Sequence, residues 1–459
     1  MPKCLIELSS LSNMNTLTYF VLLFNLIQCL LTEINGVSPI LAFKPTLRHL
    51  HAATVIDDKL YILSGMDDTI GGIVGGTQFF YLNVSAPFNT KMPLYWHDLT
   101  SKNIVPPQIG VTAVKGGADN NTLILYGGRN LTSIESKALV YAYDTQGNAW
   151  HIPTISGENY IKRRSLTAVV DYQGKVYLFG GKLLEFDSFV NDMITLDTIN
   201  FRWGKGSSTN APTSRINYGA TLLPNQNIIY IGGGNSLNES LPLDEVFIYD
   251  TNNNNWSTKK TSGLIPSNRY GLTAVLGLDG EQVIVYGGLG NKNIIINPEE
   301  SLYTLNINTF EWSIPKITGN IPSCRYMHRA NVIGNYMVTT FGVGYNITED
   351  DVLLLDISDK NEFKWTTTFY PPPPTSDPAP APPSTPSKNK SVVIGLATGF
   401  SLLCAFTIGM FFLYKRNKNR KVKVNTLHIP NGKLDNQSGQ KTVETTNKVD
   451  NHDEEAKQV

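Results

Sequence analysis

Between residues 48 and 365 the chain alternates short apolar runs, rich in β-branched and aromatic residues, with glycine pairs and polar turns. The clearest runs are "LILYGGR" from Leu123, "VYLFGGK" from Val176, "IIYIGGG" from Ile228 and "VIVYGGL" from Val283; "LYILSGM" from Leu60 and "VTTFGVG" from Val338 are weaker copies. Such runs predict buried strands, and the glycines after them permit a turn that residues with a Cβ make poorly. A second recurrent run, of the kind "VFIYDTNNNNW" from Val246 to Trp256, predicts a strand, a turn of residues that bond their own amides, and a return strand.

Tryptophan sets the period. The six in the chain, Trp96, Trp150, Trp203, Trp256, Trp312 and Trp365, are spaced by 54, 53, 53, 56 and 53 residues. Each unit holds four short strands, and six such units predict an all-β, six-bladed β-propeller. A blade of four strands cannot cover both its faces alone, so each tryptophan is expected at a blade interface. Closure of the ring is open at this level: Ile40 to Phe43 or Thr366 to Tyr370 could add a strap strand, or a degenerate seventh blade could exist.

The Gly-Gly pair, the Tyr-Asp of the third strand (Tyr143-Asp144, Tyr249-Asp250) and the closing tryptophan resemble the kelch motif, found also in the propeller of galactose oxidase. The resemblance covers roughly residues 48 to 365, with departures at Ser64-Gly65, Phe341-Gly342 and Leu196-Asp197. It implies a propeller that binds partners through its loops. It also implies an alternative, a copper-radical alcohol oxidase, whose metal would need histidine and tyrosine ligands and a tyrosine crosslinked to cysteine. His49 with His51, and Cys324 with Tyr326 and His328, are the clusters to test. No histidine pair at the family's spacing accompanies them, and little chain follows Trp365 to supply the extra domain those oxidases use. The reading from sequence is therefore a binding module, without catalytic, cofactor or metal residues.

Flanking segments predict export and anchoring. The apolar run from Leu17 to Leu31 fits a signal peptide within residues 1–36, of uncertain cleavage site; an uncleaved anchor would place the propeller on the same side. Residues 37–370 form the expected ectodomain, and residues 371–391 a proline-rich stalk. Residues 392–414 carry no formal charge and would span roughly 34 Å as a helix. Six basic residues among the next nine mark the cytosolic side. Residues 415–459 read as a disordered cytosolic tail, which gives a third reading, a scaffold for adhesion or cell shape whose tail recruits a partner. The expected protein is thus a single-pass type I glycoprotein of the surface or the secretory pathway, with a protein or glycan ligand. Its sequons are Asn83, Asn120, Asn130, Asn238, Asn255, Asn346 and Asn389.

Charge adds one exclusion and one candidate. With 38 basic and 38 acidic side chains the chain has no global field that would favour nucleic acid. Phosphate loops, nucleophile elbows and zinc-type cysteine pairs are absent from the sequence. Arg48, Arg164, Arg215, Arg269 and Arg325 open five units, with Gln108 in the sixth. If equivalent positions faced one mouth, they would form a cationic ring for acidic side chains or sugars; otherwise each guanidinium bonds carbonyls between blades.

Overall fold

The computed structural model describes residues 43–67, 76–132, 138–235, 239–344 and 351–372. They form six blades, each with four antiparallel strands drawn from one continuous stretch of chain; in blades 5 and 6 a short fifth strand, Ser262–Gly263 and Lys316–Thr318, adds in parallel to the tryptophan strand. Blade 1 is Ala52–Ile56, Lys59–Leu63, Phe79–Asn83 and Trp96–Asp98; blade 2 is Gln108–Gly116, Thr122–Asn130, Val140–Asp144 and Ala149–His151. Blade 3 is Ala168–Val170, Lys175–Phe179, Met193–Asp197 and Arg202–Lys205; blade 4 is Gly219–Leu222, Asn227–Ile231, Glu245–Asp250 and Asn255–Lys260. Blade 5 is Thr273–Leu276, Gln282–Tyr286, Leu302–Asn306 and Glu311–Ser313; blade 6 is Arg329–Ile333, Tyr336–Thr340, Val352–Asp359 and Glu362–Thr366. The first strand of each blade lines a central channel, and the tryptophan strand is the outermost of the four.

Five of the six tryptophans pack back on the preceding blade, against the aromatic residue at the end of a strand; Trp312 instead joins the blade 4 core with Ile231 and Leu243, and its Nε1 donates to the Leu243 carbonyl at 3.1 Å. Trp203 meets Tyr126, Trp256 meets Phe179 and Trp365 meets Tyr286, with ring centroids 6.0, 4.6 and 5.2 Å apart. Trp96 meets Phe341 of blade 6 at 6.0 Å, which closes the circuit. Five of the six are buried; Trp150, against Phe79, is only half-buried. The polar turns also form as expected. Asp250 Oδ1 accepts the amides of Asn252 and Asn253 at 3.0 and 2.8 Å, and Asn254 takes the left-handed conformation that ends the turn.

The glycine pair works at two levels. Its first residue has φ of 65° at Gly180 and 60° at Gly232, but the same position is left-handed at Ser64 and Phe341 as well. Its second residue is glycine in all six blades. A Cβ there would stand 2.3 Å from Val111 Cγ1 at Gly128 and 2.7 Å from His328 Cβ at Gly342. So the departures noted in blades 1 and 6 fall on the position that tolerates a side chain.

Thr366 to Tyr370 does not form an outer blade strand, residues 40–42 of the other expected strap lie outside the described residues, and among the described residues there is no seventh blade. Instead Thr368–Phe369 pairs with Phe88–Asn89, a segment between the third and fourth strands of blade 1. Phe369, fully buried, stacks on Phe88 at 4.7 Å and touches Tyr336 of blade 6 at 5.1 Å. Phe43 contributes by packing on Phe80 at 5.3 Å.

Candidate functional site

Antiparallel order places two kinds of connection at opposite ends of the ring. The tight turns between first and second strands, and between third and fourth, share one end; the long loops between second and third strands share the other with the blade-to-blade connections. The long loops are those that differ in length and content between units, so this loop end is the candidate face.

Just inside that face runs a belt of main chain. Leu50, Gly110, Ser165, Asn217, Gly271 and Met327, one per blade, all have φ between 51° and 70°. Each N–H donates to the carbonyl of its counterpart in the preceding blade: Gly110 to Leu50 at 2.9 Å, Ser165 to Gly110 at 2.8 Å, Asn217 to Ser165 at 2.8 Å, Gly271 to Asn217 at 2.7 Å and Met327 to Gly271 at 2.8 Å. Leu50 donates to Met327 at 3.1 Å and completes the circle. A second set of bonds runs the other way. The second glycine of a pair donates to the carbonyl that opens the next blade: Gly65 to Gln108, Gly181 to Arg215, Gly233 to Arg269, Gly288 to Arg325 and Gly342 to Arg48, at 2.9–3.1 Å.

These belts decide where the opening arginines go. Arg48, Arg215, Arg269 and Arg325 are 0–3% exposed. Each donates from Nη1 to a carbonyl beside its own blade's glycine pair, those of Ser64, Gly232, Gly287 and Phe341, at 3.1–3.4 Å. Burial lowers the Arg48 and Arg215 pKa values to about 9 and about 10, as expected for guanidinium groups removed from water. These four therefore hold the blades and do not rim an open mouth. In blade 3 the equivalent residue is Arg163, not Arg164. Arg163 bonds the Gly180 carbonyl at 3.1 Å and both oxygens of Asp192 at 2.8 and 2.9 Å. Counting back two residues from the left-handed belt position would have found it, since Arg163 stands to Ser165 as Arg269 stands to Gly271.

Arg164 is thereby released. It is half-buried, and among the described residues its one side-chain hydrogen bond, 3.4 Å from Nη1 to Ser165 Oγ, is weak. It pairs through its backbone with Lys182, while Ile109 in blade 2 pairs with Arg129 in the same way. The positions equivalent to Arg164 in the other blades are His49, Ile109, Ile216, Tyr270 and Tyr326, so the loop end is asymmetric in charge.

The channel behind the belt has a volume of about 610 Å³. Arg329 lies on its wall and ties three blades together: Nε donates to the His51 carbonyl at 2.9 Å and Nη2 to the Val111 carbonyl at 3.2 Å. The clusters considered for copper do not converge on a metal. His51 and His328 are fully buried and face Thr340 and Thr273 of the neighbouring blade, with Nε2 to Oγ1 distances of 3.0 and 2.9 Å. Burial, the largest cause, and nearby arginines hold both imidazoles well below their ordinary pKa. Burial likewise pushes the Cys324 thiol up to about 11. Among the described residues no group of three His, Cys, Asp or Glu side chains is placed to hold a metal ion.

Of the sequons, Asn83, Asn120 and Asn255 are exposed; Asn130 is half-buried and its Oδ1 accepts a bond from Lys162 at 3.3 Å. Asn238, Asn346 and Asn389 lie outside the described residues, as do the expected leader, the transmembrane run, the tail and all but the first two residues of the stalk. Among the described residues no helix is long and apolar enough to cross a membrane.

The chain is similar over 57% of its length to acyl-CoA-binding domain-containing protein 5 of Arabidopsis thaliana, at 27% identity, and to human host cell factor 1, at 25%. It spans 43% of the first and 13% of the second. The solved structure of YjhT covers 70% of the chain with a TM-score of 0.53 at 15% identity, a likeness of fold. The family model of the KLHDC2/KLHL20/DRC7 kelch-repeats domain matches residues 50–288 and 237–403. With that match and six blades built on the same glycine and tryptophan positions, the chain belongs to the kelch-repeat family.

Proposed function

We propose that the chain is a membrane-anchored interaction protein, whose propeller lies outside the cell or in the secretory lumen and binds a protein partner through its loop end. One observation carries the binding reading. The ring is held by main-chain belts, buried arginines and tryptophans, so the loop-end side chains, Arg129 and Arg164 among them, are left for contact. Kelch propellers as a class serve as protein-interaction modules, and a glycan ligand is the variant that a lumenal location would favour. The anchor rests on sequence: a leader-like run, an uncharged run at 392–414 with a basic flank, and sequons of which three are exposed.

The test uses the full chain in intact cells. An impermeant biotin reagent and a glycosidase read the topology, and cell-surface crosslinking reads partners. Labelling from outside, a mobility shift on deglycosylation, and partners lost in Arg129→Glu but kept in the turn-end variant Lys360→Glu are expected. Protection from the reagent without any shift would sink the topology. Partners unaffected by loop-end variants would sink the binding face.

A further inference from the structure

The loop end carries a charge feature that the six-fold scaffold does not require. Arg129, Lys162, Arg164 and Lys182 gather where blades 2 and 3 meet: Arg164 pairs with Lys182 along the backbone, Lys162 Nζ reaches Asn130, and Arg129 lies close enough to Arg164 to lower its pKa, after burial as the larger cause. Burial also lowers the Lys162 pKa to about 8. Three carboxylates share the region. Asp192 is taken by Arg163 and Asp187 by Lys182, at 2.8 and 2.6 Å, while Glu185 is exposed. Among the described residues neither Arg129 nor Arg164 has a carboxylate within salt-bridge distance. Asp187, bonded to Lys182, also attracts Arg164 at longer range, so the two guanidinium groups stand together only partly compensated on the face that carries the variable loops. Holding like charges together costs free energy, and that cost is recovered when an anion joins them.

We infer that this junction of blades 2 and 3 is a docking site for an acidic polypeptide segment, with Arg129 and Arg164 as the side chains that meet its carboxylates. The inference rests on the loop-end reading above and specifies the partner's chemistry. A carboxylate-rich strand suits the geometry better than a compact ion. The short pairings of Ile109 with Arg129 and of Arg164 with Lys182 set the charges on two adjacent blades, so that successive carboxylates of one extended segment can meet them. Direct contact with paired arginines also predicts strong dependence on ionic strength, because the groups remain partly open to solvent.

The experiment is fluorescence anisotropy of a labelled hexaglutamate peptide with the isolated propeller, residues 37–372. This fragment is a fair reagent because every blade-to-blade closure described above falls within residues 43–369. At low salt the peptide is expected to bind. Arg129→Glu and Arg164→Glu should each weaken it at least tenfold, and 0.5 M salt should abolish it. Lys360→Glu, which changes net charge equally at the turn end, should change it less than twofold. Because Arg164 is half-buried and its change could perturb the blade, the exposed Arg129 variant decides if the other fails to fold. Equal losses in the Arg129 and Lys360 variants, equal binding of a hexaserine control, or no binding at all would overturn the acidic-segment inference. The outcome is separable from the broader reading: if surface crosslinks still depend on Arg129 while hexaglutamate does not bind, the face is right and its assigned partner chemistry is wrong.

Discussion

The clasp between Thr368–Phe369 and Phe88–Asn89 is the one closure that does not repeat around the ring, and its contribution can be worked out. Phe369 is fully buried, stacks on Phe88 with planes 14° apart, and packs on Tyr336, so it joins blade 6 to the blade 1 loop. Phe369→Ala should cost about 3–5 kcal/mol, the range for truncating a buried aromatic where the cavity does not collapse. The propeller spans roughly 330 residues, and at about 2.1 cal/mol/K per residue its unfolding entropy is about 0.7 kcal/mol/K. The melting temperature should therefore fall by about 4–7 °C in differential scanning calorimetry of the isolated propeller. Phe88→Ala, at a half-buried position, should cost less. The double variant should be milder than the sum of the two by about 0.5–1.5 kcal/mol, the coupling of a stacked pair. A shift under 2 °C for Phe369→Ala, or strict additivity with Phe88→Ala, would refute the claim that this stack closes the ring.

Two further outcomes follow from buried positions. Ser64 holds a left-handed backbone at φ 60°, and its Oγ is buried without a partner among the described residues, where four other blades have glycine; Ser64→Gly should raise stability by about 1 kcal/mol, read as the urea midpoint. Phe341→Gly relieves the same backbone strain at φ 50° but removes a buried ring packed on Trp96, Phe80 and His51, and should lower the midpoint instead. The third concerns pH. His51 and His328 have folded pKa values well below 6.5, so below that pH the unfolded chain binds more protons and stability falls as pH falls. Each should cost at most about 2 kcal/mol between pH 7 and pH 5, the free energy of protonating an unfolded imidazole over that window, so the urea midpoint should drop and drop less in His328→Gln.

What was legible in the sequence is what the packing forces on residue type. A tryptophan every 53–56 residues reports a blade interface, because a large ring fills the gap behind the preceding blade, against Phe179 at Trp256 and beside Ile231 at Trp312. The second glycine of each pair reports a carbonyl or side chain too close for a Cβ. Arg164 misled because two arginines stand side by side, and only the belt position after them shows which faces inward. The belt itself was hidden. Leu50 and Met327 are left-handed without being glycine or asparagine, since the circle of hydrogen bonds fixes their backbone and offsets a strain of about 1–2 kcal/mol each. The clasp was half legible: a strand near Thr366 to Tyr370 was expected, but its partner lies in a loop without any strand signature.

The same arrangement explains how the loop end can differ from unit to unit while the scaffold does not. Both belts use main-chain donors and acceptors, which every residue except proline supplies, so the side chain one step outside the belt is not needed to hold the ring. That position is His49, Ile109, Arg164, Ile216, Tyr270 and Tyr326 in turn, four kinds of chemistry on one backbone geometry. The arginine before it, by contrast, is spent inside the blade, and where blade 2 has Gln108 instead, both side-chain polar atoms are buried without partners among the described residues. At the outer position His49, Ile109, Ile216 and Tyr270 are buried, so it opens to solvent only in blades 3 and 6, at the half-buried Arg164 and Tyr326. Arg164 therefore presents a guanidinium at a position that blades 2, 4, 5 and 6 fill with isoleucine or tyrosine, over an unchanged main-chain belt, and the proposed docking site draws on that difference.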